Sequence, residues 1–141
     1  IKNCDAYHKW TPEFFQKNYG DTKLLTLKRG SFKDNAYTSF TQKMDCEYMT
    51  LKDSIDNMLI KTTDTTNSVY VNNVTELFSK HPELITDLEL DRISKIDKAI
   101  DNKSWLKVNM FMGGPGTGSS LHCAVGGNFF FNIYGKKILY L

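Results

Sequence analysis

The chain has 141 residues, 40% hydrophobic and 24% charged, with nine Gly and three Pro, which excludes disordered and collagen-like classes and sets one globular domain as the ceiling. Eighteen Lys plus Arg against sixteen Asp plus Glu leave a formal charge of +2, too small and too evenly spread for a polyanion-binding surface, so no nucleic-acid partner is expected. No apolar run approaches the roughly 20 residues that cross a bilayer, the first residues lack a signal-peptide plan, and three widely spaced cysteines (Cys4, Cys46, Cys123) suit a reducing compartment; the expectation is an intracellular, cytoplasmic chain with no membrane partner.

Thr11-Pro12-Glu13 ahead of Phe14 and Phe15 reads as a helix start, with Thr11 as N-cap and Pro12 at the first helical position, and the helix stops at Gly20. Lys23 to Leu27 reads as a short strand, and the polar, aromatic-dotted stretch from Tyr37 to Met49 as strand or loop. Thr50 caps a second helix in which Leu51, Ile55, Met58 and Leu59 recur at helical spacing, and Lys61 to Asn67 is a polar loop. Ser68 to Val71 has strand composition. Asn73 to Ile100 reads as mostly helical, with core-facing stripes at Leu84, Ile85 and Leu88 and at Ile93, Ile96 and Ile100. From Trp105 onward Leu106, Val108, Met110 and Met112 alternate at period two, and Asn128 to Tyr134 and Ile138 to Leu141 read as further strands. Helices are thus expected first and the sheet last.

Gly113-Gly114-Pro115-Gly116-Thr117-Gly118-Ser119-Ser120 nearly spells a phosphate-cradling loop, but the lysine that would reach the phosphates is replaced by Ser119 and no helix is expected to follow. Nucleotide binding is rejected, leaving a turn between strands. Downstream the chain reads Ser119-Ser120-Leu121-His122-Cys123-Ala124, then Asn128-Phe129-Phe130 and Gly135-Lys136-Lys137. Alone, His122 reads as a half-buried strand histidine and Lys137 as an edge-strand charge.

In order and spacing this segment resembles the Jumonji C, cupin-like family of iron(II)- and 2-oxoglutarate-dependent oxygenases, especially small hydroxylases such as the asparaginyl hydroxylase acting on hypoxia-inducible factor. In that family a glycine loop leads to Thr or Ser, then His-x-Asp, Asn-Phe-Phe and Gly-x-Lys. Here Ser119, His122, Asn128-Phe129-Phe130 and Gly135-Lys136-Lys137 fall in register. More loosely, Lys9 to Asp21 resembles the family's first helix, and Tyr70 sits where a strand tyrosine faces the cosubstrate.

The resemblance implies an α+β fold: a helical N-terminal region, 1–104, followed over 105–141 by the first strands of a double-stranded β-helix, within one domain, 1–141. It implies His122 as an iron(II) ligand, Lys137 as the ion-pair partner of the distal carboxylate of 2-oxoglutarate, hydroxyl help from Ser119 and Tyr70, and a supporting amide from Asn128. Hydroxylation of a protein or small molecule would be the usual outcome.

Two ligands of the metal triad depart from that pattern. Ala124 stands where the carboxylate should be, and Cys123 points to the other face by strand alternation. The second histidine normally lies far downstream, whereas His8 and His81 lie upstream, and His81-Pro82 reads as a helix-start corner. Three explanations stand beside one another: a halogenase-like open coordination position, weak metal binding with outer-shell help, or a catalytically inactive cupin-like binding module. The first residue, Ile1, and the apolar run ending at Leu141 read as those of a fragment, truncated at its C-terminus and inactive alone. Its open sheet is expected to be covered by a missing C-terminal half or a second chain.

Overall fold

The computed structural model describes residues 4–28, 46–60, 69–100, 107–117 and 129–138. Helix α1 (Asp5–Lys9) leads into α2 (Pro12–Tyr19), where the Thr11 hydroxyl accepts the Phe14 amide at 3.2 Å and Gly20 forms the C-cap. The cap read from the sequence satisfies an amide that the helix itself leaves unpaired. Strand β1 (Lys23–Lys28) follows, then β2 (Cys46–Thr50) and α3 (Leu51–Leu59). Thr50 again caps, accepting the Asp53 amide at 3.1 Å. The first amides of α3 donate backward, Leu51 to the Thr22 carbonyl at 2.8 Å and Lys52 to the Gly20 carbonyl at 2.9 Å, so α3 starts where α2 ends.

Strand β3 (Val69–Val74) precedes three helices, α4 (Glu76–Lys80), α5 (Glu83–Thr86) and α6 (Leu90–Ile100), and β4 (Met110–Gly113) closes the series. The four strands form one antiparallel sheet in the order β2-β1-β3-β4. Among the described residues it stays open and does not close into a barrel. No helix among them is long and apolar enough to cross a membrane.

Side-chain alternation gives this sheet two unlike faces. Leu24, Thr26, Val69, Val71 and Met110 point into the core, where they meet Leu51, Ile55 and Met58 of α3, Phe15 of α2, and Leu77, Phe78 and Leu84 of α4 and α5. Two polar groups join this core without penalty: the fully buried Thr26 and Ser54 hydroxyls pair at 3.1 Å between β1 and α3. The opposite face carries Leu25, Leu27, Tyr48, Tyr70 and Phe111.

Several expectations are corrected here. Among the described residues three of the four strands lie before residue 75, so there the order is not helices first and sheet last; Leu- and Val-rich β1 and β3 supply the sheet's centre. Within the stretch left as strand or loop, Cys46–Thr50 is strand. Leu59, placed on the core stripe of α3, is exposed in the last turn. The run 129–138 forms no strand, because the Asn132 amide donates to the Gly135 carbonyl at 2.9 Å and folds the backbone into a bend there, with Gly135 at φ 74°. Residues 139–141 and the 61–67 loop lie outside the described residues, as does residue 128.

Candidate functional site

The face opposite the core is where the strands bring together residues far apart in sequence. Register aligns Cys46, Leu27, Tyr70 and Gly113 in one row across all four strands. Tyr70 is only 7% exposed, although Leu25 and Phe111 on the same face are 43% and 44% exposed. Its burial comes with a close approach to β4: a Cβ at Gly113 would lie 2.7 Å from Tyr70 Cδ2 and would also collide with the Thr117 hydroxyl. Only glycine fits between them. That burial disfavours the phenolate and pushes the Tyr70 phenol above its ordinary pKa.

The glycine loop turns directly after β4. The Thr117 amide donates to the Gly114 carbonyl at 3.2 Å, its hydroxyl donates to the same oxygen at 2.7 Å, and Gly116 sits at φ 78° behind Pro115. Pro followed by a glycine at positive φ is what a type II turn requires. A Cβ at Gly114 would lie 2.7 Å from the Met58 carbonyl oxygen, so the turn rests on the last turn of α3. Through Thr117 the loop is a turn and not the helix start that phosphate binding needs.

Lys137 reaches the same strand from the bend. Its ammonium lies 4.4 Å from the ring centre of Phe130 and 5.9 Å from that of Phe111. Phe111 and Gly113 are two positions apart on β4 and therefore share a face. Strand β4 thus meets Lys137 at Phe111 and Tyr70 at Gly113. Ser119, His122, Asn128, Cys123 and Ala124 lie outside the described residues. The alternation of Met110 and Met112 puts Phe111 opposite the core, the signal in the sequence that could have found this ring.

The other histidines are engaged elsewhere. His81 ends α4 next to Pro82, with Nε2 2.8 Å from the Thr22 hydroxyl, Nδ1 3.6 Å from Glu83 and its ring against Tyr19, which makes it the corner its sequence context indicates. His8 lies on α1 beside Tyr7. Of the metal donors the resemblance calls for, His122 offers an imidazole and Ala124 offers no donor atom, and among the described residues no three His, Cys, Asp or Glu side chains are placed to hold a metal.

No curated protein matches the chain. A family model described as a cupin-like domain matches residues 1–141, its full length. With an antiparallel sheet, helices on one face and a glycine turn after the strand that faces Tyr70, the chain belongs to the cupin-like domain family, of the Jumonji C type.

Proposed function

We propose that the domain is built on the scaffold of a Jumonji C-type, 2-oxoglutarate-dependent hydroxylase and holds a small dicarboxylate of that kind, with an incomplete iron site that leaves this chain a binding module. The observation that supports the reading is that β4 meets Lys137 at Phe111 and Tyr70 at Gly113. Lys137 supplies an ammonium donor, and Tyr70, whose proton is held by burial, supplies a phenol that donates. Ser119 and Asn128 are proposed to complete the carboxylate's hydrogen bonds, and His122 to stand as the single imidazole of the former triad. In relatives with a complete triad the metal supplies the oxidising chemistry. Here Ala124 removes the anion that would help hold it, so no catalytic step is assigned to this chain.

Calorimetric titration tests this directly. The chain is expected to bind 2-oxoglutarate in chelator-treated buffer, and Lys137→Ala to weaken it by about 10- to 100-fold, the effect of removing a charge-assisted pair. Unchanged affinity would remove Lys137 from the site. Manganese(II) is expected to give little heat with the natural chain and more with Ala124→Asp. Tight manganese binding by the natural chain would instead restore the hydroxylase reading in full.

A further inference from the structure

Phe111 and Phe130 are half-exposed rings outside the hydrophobic core, so core packing does not account for them. They come from separate segments, β4 and the stretch before the Asn132 to Gly135 bend, and both face the same ammonium, at 5.9 and 4.4 Å. Both distances lie within the range in which the negative face of a benzene ring attracts a cation. Among the described residues no carboxylate pairs with Lys137, in contrast to Lys9, Lys52 and Arg92, whose acidic partners lie within 4.0 Å. A lysine side chain left free would sample many rotamers, and fixing it on binding would cost affinity.

We propose that Phe111 and Phe130 form a two-ring shelf that positions the Lys137 ammonium in advance for a ligand carboxylate. This rests on the reading of Lys137 as the anion-binding residue. Both rings lie within 5.9 Å of the ammonium, and among the described residues no acceptor is paired with its N–H bonds, which the proposal assigns to the anion. The shelf also links ligand affinity to the bend: the turn that carries Lys137 must keep its place against β4 for both rings to be in reach.

Fluorination tests the shelf, because it drains the ring's negative face while hardly changing its size. Phe130 is replaced in the full chain by mono-, di- and trifluorophenylalanine, and each protein is titrated with 2-oxoglutarate. The ε-methylene resonances of Lys137 are followed by NMR without ligand. The natural chain is expected to show those resonances shifted upfield by the rings, with the shift reduced in Phe130→Leu and Phe111→Leu. Affinity is expected to fall stepwise with fluorine number, by about three- to fivefold at the trifluoro ring. A Lys137 without upfield shift overturns the shelf. An upfield shift with flat affinity across the series, while Lys137→Ala weakens binding as expected, overturns the positioning role alone. Absence of any 2-oxoglutarate binding by the natural chain overturns the anion-site reading and the positioning role with it, and a persisting upfield shift distinguishes that outcome from failure of the shelf.

Discussion

Tyr70 shows how one side chain couples register, packing and chemistry. Strand alternation puts it opposite the core residues Val69 and Val71, and the bare Gly113 backbone lets its ring lie flush against β4. Burial raises its pKa, so the folded form holds the phenol proton more tightly than the unfolded chain does. Its contribution to stability is therefore complete below the ordinary value of 10.0 and is lost as pH climbs from there through the raised folded value. The stability difference between the natural chain and Tyr70→Phe, measured by denaturant unfolding from about pH 8 to 11, is expected to be level at first and then to decline. A difference that stays level throughout would mean that the hydroxyl is open to water. From sequence, Tyr70 could be placed only through the family pattern, because its composition marks a strand without saying which face is lined by a neighbouring glycine.

Among the elements, those whose signals are local were the legible ones. Thr11 and Thr50 are hydroxyl caps ahead of apolar stripes, and both helices begin where those residues stand. The bend at Asn132 to Gly135 went unread because Phe129, Phe130, Phe131 and Ile133 have strand composition, while the deciding hydrogen bond belongs to one amide side chain. Strand β2 was ambiguous for the opposite reason: its residues are mixed, and pairing with β1 over five positions makes it a strand. The contact of β3 with β4 yields the clearest element-scale prediction. Gly113→Ala must displace both the Tyr70 ring and the Thr117 hydroxyl, and is expected to cost about 1–3 kcal/mol in thermal or denaturant unfolding and to weaken 2-oxoglutarate binding. Natural stability and affinity in that variant would show that β3 and β4 are not so closely joined.

At the scale of the whole molecule, the residue after α5 ties that part of the chain back to α1 and Trp10. Asp87, just after α5, accepts the Trp10 indole N–H at 3.0 Å and the Lys9 ammonium at 2.9 Å, and its carbonyl accepts the Ala6 amide at 3.0 Å. Lys9 also pairs with Asp5, whose carboxyl is held below its ordinary value mainly by that hydrogen bond. Asp87→Ala leaves a buried indole N–H without its partner and is expected to cost about 1–3 kcal/mol by denaturant unfolding. A loss below about 0.5 kcal/mol would mean that water replaces the carboxylate. No short pattern in the sequence announces this tie, since its partners stand 77 positions apart. The family resemblance alone sets Tyr70 beside Lys137, 67 positions away, and the proposed site depends on that joining. The most direct test of that joining is an NMR search, with selectively labelled tyrosine and lysine, for nuclear Overhauser contacts from the methylenes of bound 2-oxoglutarate. The account predicts contacts to the Tyr70 ring and the Lys137 ε-methylene in the same complex; contacts to only one of them, or to neither, would contradict it.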